Sequence, residues 1–204
     1  MNNGADIQHL VFDMGGVLID IDWHGKISGL LGRDIPFDQI HALWGASEAV
    51  HRFETGQCDF NTFTHDFIEE QGLDTTPETF EQAFREIIID AFPGVVELLQ
   101  ELKPRFTLSL LSNTNAAHWQ QVQTDYDFIP LFDHPWTSLD FGIMKPDPAI
   151  YQALLDKLQT SPSSVLFFDD GAANVQAARD VGLHAERVFN PDDIRQVLTD
   201  YQLL

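Results

Sequence analysis

Asp13, the pair Ser112-Asn113, Lys145 and the pair Asp169-Asp170 each follow a predicted strand or open the loop after one. Strand ends converge at one edge of a parallel sheet, so these groups are expected to meet there. Carboxylates are hard oxygen ligands that suit a hard divalent cation. A single cysteine, Cys58, excludes an internal disulfide and any multi-cysteine metal site, and the 8 histidines are scattered without an HExxH-like pair. Metal chemistry in this chain therefore has to rest on carboxylates. The formal charge of −21 repels nucleic acid and anionic membranes, so neither is an expected partner. A small anionic substrate then needs locally placed cations and backbone N–H groups, and Lys26, Lys103, Lys145 and Lys157 are the only lysines. Taken singly, each group has a plain structural reading: a helix cap, a turn, a surface cation, a solvated acidic pair. Their order and flanks together argue for a site.

The elements that position these groups are short buried strands alternating with helices. Strands are predicted at Ile7 to Phe12, Phe106 to Leu111, Val165 to Phe168 and Leu183 to Val188, with a weaker one at His134 to Thr137. Helices are predicted at Gly94 to Leu102, Ala116 to Gln123, Pro148 to Leu158, Val175 to Val181 and Asp192 to Thr199. Asp147-Pro148 and Asn190-Pro191 mark helix entrances and Gly182 a helix end. This alternation implies right-handed βαβ units and an α/β fold with a parallel, doubly wound sheet.

Asp22 to Ala91 breaks the rhythm. No strand is evident there, and Phe60/Phe63/Phe67/Ile68 and Phe80/Phe84/Ile87/Ile88 repeat with helical spacing, Thr76-Pro77 marking a helix start. The segment is expected to be a helical insert after the first strand, beside the ligand crevice, where it can act as a lid. At 204 residues and 44% apolar content, the chain suits one sizeable core with a small appended domain. No run reaches membrane-spanning length, and the start MNNGADIQ lacks the basic and apolar regions of a signal peptide, so the expected location is the cytoplasm.

Across essentially its whole length the sequence resembles the haloacid dehalogenase superfamily. VFDMGGVLID resembles the family's first motif, LSLLSNTN its second, GIMKPDPAIY its third and VLFFDDGAANVQAARDVG its fourth. The combination is similar to a branch that includes α-D-glucose-1-phosphate phosphatase and the phosphatase-like domain of soluble epoxide hydrolases. The resemblance implies a Rossmann-like core formed by residues 1–21 and 92–204, with a helical cap at 22–91. It implies an Mg²⁺-dependent phosphatase of small phosphorylated metabolites, with sugar phosphates favoured. Asp13 is the implied nucleophile, forming an aspartyl phosphate. The Mg²⁺ ligands implied are Asp13, the Gly15 carbonyl and Asp170, with Asp169 supporting. Ser112, the Asn113 N–H and Lys145 are expected to hold the phosphoryl oxygens, and Asn174 stands where the family often has an acid that orients the lysine. The metal-free dehalogenases of the superfamily usually lack the paired acids, so Asp169-Asp170 argue against dehalogenation.

Gly15 departs from the pattern. The family's phosphatases mostly carry there an aspartate that protonates the leaving alcohol, help typically worth about 10²–10⁴-fold. Either a cap group or water replaces it, or the substrate has a leaving group that needs little protonation. Anomeric sugar phosphates and acyl phosphates meet the second condition. Two other readings stay open: a phosphomutase of the same superfamily, and a weakly catalytic domain that binds phosphate or a protein partner. A homo-oligomer is equally open.

The cap stretch HRFETGQCDF resembles a family loop that reaches the site, so His51, Arg52 and Glu54 are candidates for reading substrate hydroxyls. Gly56 and Asp59 read as a helix stop and the next helix cap. Capping or hinge roles suit Asp20 and Asp22, core packing suits Trp23 and Trp44, and Cys58 reads as inert.

Overall fold

The computed structural model describes residues 6–32 and 35–204, so most of the start MNNGADIQ lies outside the described residues. Along the chain run β1 (His9–Phe12), β2 (Ile19–Ile21), α1 (Trp23–Leu30), α2 (Phe37–Ala46), α3 (Glu48–Glu54), α4 (Phe60–Gln71), α5 (Pro77–Arg85) and β3 (Ile88–Ala91). There follow α6 (Val95–Leu102), β4 (Thr107–Ser112), α7 (Ala116–Asp125), β5 (His134–Thr137), α8 (Ser138–Phe141) and α9 (Pro148–Leu158). The chain continues through β6 (Val165–Asp169), α10 (Ala172–Val181), β7 (His184–Arg187) and α11 (Pro191–Asp200).

Five strands form a parallel sheet in the order β5-β4-β1-β6-β7. Successive side chains on a strand point to opposite faces, and both faces of this sheet are covered. Leu10 and Phe12 pack with Leu98, Leu99, Ile194 and Leu198 of α6 and α11. Val11 and Phe167 pack on the other side with Tyr151, Leu154, Val175 and Ala178 of α9 and α10. Two-sided burial explains why these strands are continuous apolar runs. From β1 the chain winds outward through β4 to β5, then returns to the other side of β1 for β6 and β7. The winding reverses at β1, which opens a crevice at its carboxyl end. Helix entrances lie at the expected punctuation: Asp147 caps α9 ahead of Pro148, Asn190 caps α11 ahead of Pro191, and left-handed Gly182 closes α10.

Helices α1 to α5 form the insertion after β1 and hold a core of their own. Phe53, Phe63, Phe67, Phe80 and Phe84 are buried together, with the Phe53 and Phe63 rings stacked at 4.3 Å. Asp59 caps α4, and left-handed Gly72 ends it. The expectation of an insert without strands is corrected: β3 pairs antiparallel with β2, Ile19 opposite Ala91 and Ile21 opposite Ile88. Helix α5 stops at Arg85, so Phe80 and Phe84 share its buried face whereas Ile88 belongs to the strand. Spacing alone could not separate them, because a β-branched run of this length fits either period.

The insertion is docked on the core through α7. His118 stacks on Phe84 at 4.5 Å, and its Nε2 lies 2.8 Å from the Phe84 carbonyl. Burial pushes its imidazole down to about 4. The ring is therefore neutral near pH 7, and a proton on Nε2 lets it donate to that carbonyl. Phe63→Ala should destabilise the protein by about 3–5 kcal/mol through the cavity it leaves, read as a lower urea midpoint at unchanged slope.

Candidate active site

Three neighbouring strands supply the site. Asp13 follows β1 directly, and its N–H still donates to the Phe168 carbonyl at 2.8 Å, so the ladder fixes its backbone. Ser112 ends β4 and Asp169 ends β6, with Asp170 next in the loop. The loop before α9 brings Lys145 over them. Its ammonium lies 2.8 Å from Asp13 Oδ1 and 2.6 Å from Asp169 Oδ2, and the residue is 3% exposed. The Lys145 backbone is clamped by the Asn113 side chain: Asn113 Nδ2 donates to its carbonyl and Asn113 Oδ1 accepts from its N–H, both at 2.8 Å.

Asp169 is fully buried and saturated with donors. Besides Lys145, its Oδ1 accepts from the Gly171 N–H at 2.7 Å and from Asn174 Nδ2 at 2.9 Å. Asn174 therefore supports the lysine through Asp169 rather than by direct contact. Tyr151 completes this tier by donating to the Asn174 carbonyl at 2.9 Å. Asp170 is half-buried, and a Cβ on Gly16 would lie 2.6 Å from its Oδ2. Gly16 also has φ +74°, so both its conformation and its clearance need glycine.

Asp13, Asp169 and Asp170 each present an oxygen within 4.8 Å of the others. Three carboxylates against one ammonium leave an excess of negative charge that suits a divalent cation. With Asp169 taken up by its donors, Asp13 and Asp170 are the carboxylates best placed to ligate it. Burial opposes the Lys145 charge, but Asp13 and Asp169 outweigh it and hold the ammonium above its ordinary range. Burial also raises Asp169, yet three donors converge on it, an arrangement that holds a carboxylate. The group left to carry a proton in the metal-free protein is Asp170, pushed up to about 7 by burial and by Asp13 and Asp169.

Other sequence candidates separate clearly. His51 is exposed, and Arg52 is paired with Asp66 at 2.8 Å within the cap, whereas Glu54 is buried. Asp22 caps α1, and Asp20 points from β2 into solvent. Trp23 and Trp44 pack edge to face at 5.7 Å against the cap core. Cys58 is half-buried beside the same core. Sequence reasoning assigned Asn113 only its backbone and missed its side-chain clamp, and it missed Tyr151 as a support. The KP and IY flanks of the third motif mark that loop and helix, but they do not identify these partners.

Residues 7–182 match the family model described as haloacid dehalogenase-like hydrolase. Among curated proteins, the chain is 27% identical to D-ribitol-5-phosphate phosphatase of Bacteroides thetaiotaomicron, covering 95% of this chain and 97% of that protein. It is 28% identical to bifunctional epoxide hydrolase 2 of Sus scrofa over 95% of its own length, spanning only 39% of that longer protein. A solved HAD family enzyme from Bacteroides thetaiotaomicron, in complex with magnesium and inorganic phosphate, superposes with a TM-score of 0.72 at 24% identity, covering 89% of this chain and 93% of that one. Among the described residues, no helix is long and apolar enough to cross a membrane.

A carboxyl that binds protons more tightly when folded weakens the fold as pH rises from its ordinary value near 3.8 to its folded value, about 7 for Asp170. The metal-free protein should therefore melt at a lower temperature at pH 8 than at pH 5 as far as this cluster acts. Added Mg²⁺ should raise the melting temperature more at pH 8 than at pH 5, because cation and proton compete for the same oxygens.

Proposed function

Since the chain belongs to the haloacid dehalogenase-like hydrolases, we propose that it is an Mg²⁺-dependent phosphatase of small phosphorylated metabolites, of the sugar or sugar-alcohol phosphate class. The observation that carries this reading is the buried set formed by Lys145 on Asp13 and Asp169, with Asp170 alongside. The ribitol phosphate phosphatase relative, matched over nearly the full length of both chains, supports the substrate class.

An oxygen of Asp13 attacks phosphorus as the bond to the leaving oxygen breaks, giving an aspartyl phosphate that water then hydrolyses. Lys145 holds Asp13 in place and presents its charge to the phosphoryl oxygens, where negative charge is spread in the transition state. Ser112 and the Asn113 N–H stand at the end of the adjacent strand to receive the remaining oxygens. Asp169 and Asn174 keep the ammonium from swinging away. Bound by Asp13, Asp170 and the Gly15 carbonyl, Mg²⁺ would supply charge neutralisation between the phosphate and the attacking carboxylate. The cap excludes water from the reaction by closing over the crevice.

Phosphate release should depend on Mg²⁺, stop with chelator, and fall by more than about 10³-fold in Asp13→Asn. A panel of sugar phosphates, sugar-alcohol phosphates and acyl phosphates measures it. Metal-independent release, or release that survives Asp13→Asn, would count against the mechanism.

A further inference from the structure

Position 15 carries no acid–base carboxyl, and a side chain there would meet Ile21 closely enough to make it shift. A Cβ on Gly15 would lie 3.0 Å from Ile21 Cδ1, so β2 fills that space with an apolar side chain. Asp20, the neighbouring carboxylate, points the other way along the strand and is exposed. A different carboxyl is sealed in from the cap side. Glu54 is the last residue of α3 and only 6% exposed. Its helix end meets the core: a Cβ on Gly56 would lie 3.5 Å from Leu139 of α8, and Met144, beside Lys145, packs against the cap core. Glu54 Oε1 accepts from the Trp44 indole at 3.1 Å, while Oε2 is buried with no partner. An orphaned buried carboxyl oxygen is costly to keep. The charged groups that act on it are Lys145 and Asp13, both in the active site. Burial pushes the Glu54 carboxyl up to about 7, with Asp13 adding to the effect, while the Trp44 bond and Lys145 pull the other way.

We propose that Glu54 is the catalytic acid and base of this enzyme, a cap residue doing the work of the group absent at Gly15. The inference rests on the reading of Asp13 as nucleophile. In the first step, protonated Glu54 gives its Oε2 proton to the leaving alkoxide as the phosphorus–oxygen bond breaks and the bond to Asp13 forms. In the second, the Glu54 carboxylate takes a proton from the water that attacks the aspartyl phosphate. Inorganic phosphate leaves, and both Asp13 and protonated Glu54 are restored. Esters of ordinary alcohols, which need a protonated leaving group, then fall within the enzyme's reach, and a polyol phosphate is such an ester.

Glu54→Gln keeps an acceptor for the Trp44 indole and removes the proton. With glycerol phosphate, kcat/KM should fall about 10²–10³-fold. With p-nitrophenyl phosphate, whose leaving group needs no proton, the variant should release one nitrophenolate per site in a burst and then turn over slowly, because the base for water is also gone. Equal losses on both esters without a burst, or no loss on either, would overturn the proposal. Trp44→Phe is a second handle: without the indole bond, the alkaline limb of the glycerol phosphate profile should move to higher pH, and an unmoved limb speaks against Glu54. Wild-type protein inactive on every ester would overturn the nucleophile reading along with it, whereas an active wild type with an indifferent Glu54→Gln sinks this inference alone.

Discussion

Everything at the crevice depends on keeping one buried ammonium between two buried carboxylates. Lys145 is withdrawn from water, and so is Asp169, and neither charge is tolerable without the other. Oδ1 of Asp169 is satisfied by Gly171 and Asn174, and the Lys145 backbone by Asn113, so each partner is held from behind. Removing one member strands the opposite charge, whereas the complete set holds each charge against its partner. Asp170, outside this saturated pair, keeps the freedom to bind a cation. The division of labour among the acids follows from who already has donors.

The parallel sheet is what makes this cluster affordable. β1 lies between β4 and β6, so Asp13, Ser112 and Asp169 emerge side by side without any loop having to carry them far. The cap supplies what the sheet cannot. Its aromatic core is separate from the core of the sheet, and it touches the body through His118, Met144 and the turn after α3. Burial raises the Glu54 carboxyl to about 7, into the range useful for proton transfer at neutral pH.

Much of this was legible in the chain. β1, β4 and β6 read as strands because burial on both faces turns them into unbroken apolar runs, and the polar residue after each run marks the crevice. Asp13, Ser112 and the Asp169-Asp170 pair follow from those ends, whereas Lys145 comes from the loop between α8 and α9. β2 and β3 were not legible, since strands of three and four residues cannot show alternation. The partner of Asn174 was read as the lysine and is Asp169, a distinction that depends on which oxygen faces the helix start. Glu54 was visible as a cap candidate beside His51 and Arg52. Only packing shows that His51 is exposed, Arg52 is spent on Asp66, and Glu54 has an unpaired buried oxygen. Pattern locates elements and their ends; which polar atom lacks a partner is decided by elements distant in sequence.

The central claim, that Asp13 becomes covalently phosphorylated, is tested most directly by rapid mixing with a sugar-alcohol phosphate and Mg²⁺, borohydride reduction and peptide mass mapping. An aspartyl phosphate is reduced to homoserine at position 13, and that mass change confined to the peptide containing Asp13 is the predicted result. Phosphate release with Asp13 unmodified throughout turnover, or reduction at Asp169 or Asp170 instead, would contradict the account.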